Sequence, residues 1–380
     1  MGILFHRKKD CVTGLTLSRG GSTSPRQMKI GLIIYGSVKT ISGGYLYDRM
    51  LISGLRARGD QVEIISLPQR TYGGHLVDNL TFRLSSGLDI LLQDELCHPS
   101  LLLANSHERP YPIISIVHNL RSSERHREWQ NGIYRRIEGC YLDSVDGFVF
   151  NSTVTRSSVQ ALVSGAKPHV VATPGGDRLG TATPAYVRER ALRDGPLRLL
   201  FLANVTAGKG LEVVLDALAR LSPQEYALEV VGSCSVEPEY ARKMRVKASR
   251  MELPVVFRGP LVDQALVEVL QRSGVLVIPS YYEGFGIAYL EGMAHGLPAL
   301  GTTAGAIPDL ITDGVNGYLI APGDVEALAE RLANLCRDRE LLTSLSLTAL
   351  HSFQGRPSWN ESVGRVRGFL QDMVFHAEAN

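Results

Sequence analysis

The segment from Pro279 to Pro298 concentrates groups able to hold a sugar or a phosphate. It begins where a short apolar run ends. Gly284 and Gly286 strip side chains from the loop, so backbone N–H groups at the start of the next helix can approach a ligand and bond its oxygens. Glu283 falls in the loop and Glu291 on the helix. A carboxylate can accept hydrogen bonds from adjacent hydroxyls, so two at this separation suit two rings of one donor. The alternative is that one glutamate favours a helix N-terminus and the other is solvated. A second group, Asn204 to Gly210, places Lys209 between a strand-like run and a helix. An ammonium beside exposed helix N–H groups suits a diphosphate, whereas a surface turn with a solvated lysine is the plainer reading. The spacing G-x-x-x-x-G-K-[ST] is absent because Gly210 follows Lys209, so this is not a P-loop.

The elements that would position these residues alternate in type. Apolar runs occur at Ile30–Tyr35, Val62–Leu67, Leu88–Leu92, Ile113–Val117, Gly147–Phe150 and Val170–Ala172, with helix-like segments between several of them. A glycine loop through Gly36, Ser42, Gly43 and Gly44 follows the first run and leads into a helix predicted over Tyr45–Arg58. After a polar stretch, Thr181 to Pro196, the pattern restarts at Leu197–Leu202. Further runs follow at Leu228–Val231, Val255–Phe257, Val275–Ile278, Pro298–Gly301 and Gly317–Ile320. The helix after Leu202 carries Leu211, Val214, Leu215, Leu218 and Leu221 on one face. This alternation predicts an α/β protein of two doubly wound, Rossmann-like domains facing across a cleft, with ligands at the carboxyl ends of the strands. The expected organisation is a flexible tail over 1–27, an acceptor-side domain over 28–180 and a donor domain over 181–380. The last helix is free to return to the first domain. Met28 stands just before the first run and is an alternative to Met1 as the start.

Composition agrees with two domains, since 380 residues exceed the ~250 at which a single core stops growing. At 44% hydrophobic, 21% charged and net charge +2, the chain reads as an ordinary globular protein without a nucleic-acid footprint. No run of ~18 apolar residues spans a bilayer. Cys11, Cys97, Cys140, Cys234 and Cys336 are odd in number and lack any C-x-x-C pair, which fits a reducing cytoplasm.

The two motifs, Lys209 with its loop and Glu283 to Glu291, make the chain resemble the retaining glycosyltransferases of family 4, which have the GT-B fold. The similarity is strongest over Leu197–Pro322 and fainter over Met28–Gly176. The resemblance implies that Glu283 and the amides of Phe285, Gly286 and Ile287 serve the donor sugar, while Glu291 serves the nucleotide ribose. It puts Lys209 on the diphosphate, with Gly43 and Gly44 across the cleft beside it. His118, in Ile116-Val117-His118-Asn119, matches a histidine that contacts the donor sugar; a structural role is the alternative. The implied donor is a nucleotide diphosphate sugar, with no cofactor and no metal, transferred with retention to an unidentified glycan, lipid or small molecule. Front-face attack, with the leaving phosphate taking the acceptor's proton, is the implied route.

Two positions depart from the family pattern. Asn204 stands where a diphosphate-binding arginine is usual and joins Lys209 as a candidate donor contact, and Gly305-Ala306-Ile307-Pro308-Asp309 replaces Gly-Gly-x-Pro-Glu. On the acceptor side, Gln93 to Pro99 could bind acceptor hydroxyls or cap the following helix. Asp94, Glu95 and His98 have poor spacing for a tetrahedral metal. Arg121, Arg125, Arg127, Arg135 and Arg136 could meet anionic lipid or a charged acceptor, or form a solvated face with Glu124, Glu128 and Glu138. Peripheral contact with the inner membrane surface is therefore an expectation. The rival functions are a sugar-nucleotide 2-epimerase of the same fold and a non-catalytic sugar-nucleotide-binding protein. A dehydrogenase is disfavoured, because the first loop lacks G-x-G-x-x-G spacing.

Overall fold

A computed structural model of the chain describes residues 26–79, 82–124 and 126–379. The expected tail lies almost wholly outside these residues, as do Cys11 and Arg125.

Each apolar run read from the sequence contributes a strand. The first sheet contains β1 (Lys29–Tyr35), β2 (Gln61–Leu67), β3 (Ile90–Asp94), β4 (Ile113–Val117), β5 (Gly147–Phe150) and β6 (His169–Val171), in the order β2-β1-β3-β4-β5-β6. The second contains β7 (Leu197–Leu202), β8 (Tyr226–Val231), β9 (Val255–Gly259), β10 (Val275–Val277), β11 (Ala299–Thr302) and β12 (Gly317–Ile320), in the order β12-β11-β10-β7-β8-β9. All neighbours pair in parallel, with Ile30 opposite both Val62 and Ile90, and Leu199 opposite both Leu228 and Val275. Strands covered by helices on both faces must be apolar on both, and β3, β4, β5 and β10 are buried throughout.

Strand order reverses direction between β1 and β3 in the first sheet and between β7 and β10 in the second. Loops leaving adjacent strands there diverge to opposite faces and open a crevice at the carboxyl ends. Lys209 follows β7 and Glu283 follows β10, so the two motifs flank one switch point. Gly43 and Gly44 follow β1, beside the other.

Two local differences from expectation have simple causes. The first helix runs Gly43–Ala57 rather than from Tyr45, because the Ser42 side chain accepts from Tyr45 N and opens it earlier. The polar stretch between the domains contains a helix, Pro184–Ala191, capped by Thr183 with proline in its first turn. Its buried side holds Val187, Ala191 and Arg190, whose guanidinium donates to the carbonyls of His295 (2.9 Å) and Gly296 (2.8 Å). A buried arginine in the apolar stripe is what hid this helix.

The last helix, Trp359–Ala379, packs on the Gly43–Ala57 helix of the first half. Arg367 donates to both oxygens of buried Asp60, at 2.7 and 3.0 Å. Among the described residues no helix is long and apolar enough to cross a membrane. Cys97, Cys140, Cys234 and Cys336 are free thiols.

Candidate active site

Between the sheets lies a cleft of about 1770 Å³, lined by all of the donor-side candidates: Gly43, Gly44, His118, Asn204, Lys209, Glu283, Phe285, Gly286, Ile287 and Glu291. On the C-terminal side, Gly210 takes the left-handed conformation, φ +74°, and a Cβ there would stand 2.2 Å from the Pro279 carbonyl oxygen. Only glycine lets the Lys209 turn press against the loop after β10. Tyr281 N donates to Gly208 O at 2.9 Å and joins the two loops. Lys209 Nζ then reaches Glu283 Oε1 at 2.7 Å, and Ser280 Oγ donates to the same oxygen at 2.7 Å. From behind, Ala306 N donates to Glu283 O at 2.9 Å, while a Cβ on Gly305 would collide with that oxygen at 2.1 Å. Gly305 and Ala306 thus back the glutamate loop although Ala306 stands where the family pattern has glycine. Gly286, φ +95°, opens the Ile287–Ala294 helix toward the cleft.

Glu291 is buried on that helix. Burial raises its pKa, and Arg178 opposes the rise. Asn204 does not stand free beside Lys209. Its Nδ2 donates across the cleft to Ile41 O (3.1 Å) and its Oδ1 accepts from Ser233 N (3.0 Å), so both amide ends are occupied by backbone. The same glycine loop is held from the other side by Arg49, whose Nη1 donates to the carbonyls of Val38 and Thr40.

On the N-terminal side, a Cβ on Gly44 would meet His118 Cδ2 at 3.1 Å, so the histidine lies against the glycine loop. His118 Nε2 is 3.1 Å from Asp48 Oδ1; Asp48 is fully buried, and among the described residues its Oδ2 has no hydrogen-bond partner. Asp94, at the end of β3, completes a close group of three. Burial pulls the His118 pKa down, but Asp48, together with Asp94 and Glu95, outweighs it and lifts the imidazole to about 9. Burial and Asp48 push Asp94 up to about 7, against the pull of His118.

The two sides touch directly. Ser152 Oγ donates to Gly284 O at 2.8 Å, and behind this contact, within the first half, Asn151 Nδ2 holds His118 O at 2.8 Å. A Cβ on Gly284 would stand 2.1 Å from His118 O.

The cluster after β3 turns inward instead of lining the cleft. Asp94 Oδ1 caps Leu96 N (3.0 Å), Gln93 pairs with Asn105, and His98 Nε2 meets Tyr72 OH at 2.9 Å. Asp94, Glu95 and His98 do not converge, since Glu95 and His98 face Glu138, a buried trio that could share a cation or a proton. In the basic segment, Arg121 stacks over the rings of Tyr72 and Tyr134, at 5.2 and 5.0 Å, while Arg135 and Arg136 are exposed on the helix Glu128–Ser144. Glu138, expected on a solvated face, is buried.

Sequence reasoning missed Asp48, Arg49 and Arg178. Asp48 and Arg49 follow the glycine loop by about one helical turn, which places Arg49 on the cleft and Asp48 behind it against His118. Arg178 carried no local signal.

Two parallel Rossmann-like sheets meeting at their carboxyl edges define the fold as GT-B. Residues 183–350 match the family model described as Glycosyl transferases group 1. The chain is 27% identical over 251 residues to glycogen synthase of Mycobacterium tuberculosis, covering 63% of this chain and 58% of that protein. It is 30% identical over 167 residues to N-acetyl-alpha-D-glucosaminyl L-malate synthase of Bacillus anthracis, covering 43% and 42%. It spans about half the length of the curated relatives it matches. In fold it is similar to sucrose-phosphate synthase from Thermosynechococcus elongatus (TM-score 0.76, 20% identity, 93% of this chain and 100% of that one). It is likewise similar to Anabaena HepE in complex with UDP-glucose (TM-score 0.69, 18% identity, 90% and 99%).

Proposed function

We propose that this protein is a retaining, metal-independent glycosyltransferase of the family 4 type, moving a sugar from a nucleotide diphosphate donor to an acceptor held by the N-terminal half. One observation carries the reading: Lys209, Glu283 and Glu291 converge with Gly43, Gly44 and His118 on a single cleft at the switch points of two sheets. As the diphosphate departs, positive charge develops at the anomeric carbon. Lys209 and the N–H groups of the helix opened by Gly286 stabilise the departing oxygens, the service a divalent cation gives in other transferases. Glu283, tethered by Lys209 and Ser280, orients the sugar instead of attacking it, and Glu291 takes the ribose. Front-face attack lets the leaving phosphate collect the acceptor's proton and keeps the anomeric configuration. His118, held by Asp48, lies against the glycine loop where the donor sugar would lie. UDP-glucose, found with a structurally similar protein, is the first donor to try.

The test is a thermal-shift panel of UDP, GDP and ADP with their sugars, followed by transfer assays with and without EDTA and NMR of the product anomer. Binding raises apparent stability by mass action. No shift with any nucleotide would overturn the reading. A shift without transfer would favour the binding protein, and conversion of donor alone the epimerase.

We also propose that the protein meets anionic surfaces in a reducing compartment through the helix Glu128–Ser144. Trp129 and Ile133 are 61% and 49% exposed there beside Arg135 and Arg136, an apolar and basic pairing suited to a lipid headgroup region.

A further inference from the structure

Arg178 lies in a single helical turn, Asp177–Leu179, just after the first sheet ends, pinned by Asp177 Oδ1 accepting from Trp359 N at 2.9 Å. Its Nε donates to Glu291 Oε1 at 2.9 Å, and Nη2 lies 2.7 Å from the same oxygen. Both contacts fall on one carboxylate oxygen. Among the described residues Oε2 accepts no hydrogen bond, although Glu291 is only 4% exposed and lines the cleft. A buried carboxylate favours its neutral form unless a cation stands beside it, and a neutral carboxyl is a poor acceptor for two hydroxyls. Other charge nearby is sparse: Asp263 Oδ1 is 3.7 Å from Arg178 Nη1 and largely exposed, and Arg49 is of like sign.

We infer that Arg178 is a positioning residue for the ribose of the nucleotide. It fixes the Glu291 carboxylate in one rotamer and presents Oε2 to the vicinal hydroxyls, so ribonucleotides are taken in preference to deoxyribonucleotides. The inference rests on the ribose role proposed for Glu291. A purely structural ion pair would engage both oxygens or face the interior; this one leaves an oxygen on the cleft side, on the helix that the Gly286 loop opens.

The experiment is calorimetric titration of the full chain with UDP, 2′-deoxy-UDP and 3′-deoxy-UDP, with the GDP and ADP series alongside. Wild type should prefer the ribonucleotide by about tenfold or more, the scale of a hydrogen bond to a charged group. Arg178→Ala should weaken ribonucleotide binding by about that factor and leave the deoxy forms within about twofold, so that the preference collapses. Arg178→Lys, which keeps the charge but not the fork, should give an intermediate preference and decides the matter if Arg178→Ala fails to fold. An equal loss across all three nucleotides, with the preference intact, would overturn the inference in favour of direct contact or general stability. Glu291→Gln separates the two levels. If it keeps the preference, the ribose role of Glu291 falls; if it removes the preference and Arg178→Ala does not, only Arg178's role falls.

Discussion

Lys209 and Glu283 meet at 2.7 Å, so the cation proposed for a diphosphate and the carboxylate proposed for its sugar occupy adjoining positions. Asn204 supplies no charge and is engaged by backbone at both ends, so the proposed diphosphate role on this wall of the cleft falls to Lys209. Lys209→Ala should therefore cost about 2–4 kcal/mol of transition-state stabilisation, roughly a hundredfold in kcat/KM. A variant within about twofold of wild type would remove the diphosphate role. Glu283→Gln should lower kcat with donor affinity little changed, whereas Glu291→Gln should mainly weaken donor binding. The same loss pattern in both would sink the division of labour. His118 and Asp94 give the site a pH dependence of definite sign. The proton held on His118 stabilises the fold fully below about 6.5, its unfolded pKa, and this contribution is lost as pH rises through about 9. Asp94, lifted from 3.8 to about 7, acts in the same direction at lower pH, so both make stability fall as pH rises. Asp48→Asn removes the anion responsible. It should flatten the decline between pH 6.5 and 9 in denaturation series and bring the His118 NMR titration down from about 9.

At the scale of elements, the helix Ile287–Ala294 and the loop ahead of it are placed by backbone contacts that admit no side chain. Gly284 is the sharpest case, because its carbonyl accepts from Ser152 while a Cβ would strike His118 O in the other half. Gly284→Ala should hold the halves apart at a cost of about 1–3 kcal/mol, the range for overpacking. Its mark would be a kcat/KM reduced about tenfold or more, with a UDP-bound scattering radius larger than that of wild type. Unchanged compaction and turnover would show that the contact is incidental.

For the whole molecule, the helix Trp359–Ala379 is clamped back onto the first half through Arg367 and Asp60. Arg367→Ala leaves a buried aspartate without its cation and should destabilise the protein by about 3–5 kcal/mol in urea denaturation, with donor affinity preserved. Loss of donor binding at unchanged stability would contradict that account. The exposed face of the helix Glu128–Ser144 predicts binding to anionic phosphatidylglycerol vesicles that weakens with salt and is reduced by Trp129→Ala. Sedimentation without salt-sensitive binding would remove the surface role.

What the sequence determined by itself was whatever depends on short range. The twelve apolar runs needed only local pattern, and the glycines and charges around Lys209 and Glu283 to Glu291 needed only their order along strand, loop and helix. The donor-side candidates were legible because they fall in the segments that follow a strand's carboxyl end, where topology directs ligands, with Glu291 on the helix just beyond. Tertiary structure alone decided their partners. Arg178 reaches Glu291 across 113 positions and Asp48 reaches His118 across 70, and no periodicity links residues so far apart. The helix Pro184–Ala191 was hidden because its buried face includes Arg190, which only the carbonyls of His295 and Gly296 make tolerable. Asn204, open to a phosphate role in sequence, proved to be tied to Ile41 and Ser233. Hydrogen-bond partners and the desolvation that shifts a pKa belong to whichever surfaces the fold brings face to face, and that pairing is fixed by packing between distant segments rather than by any one of them.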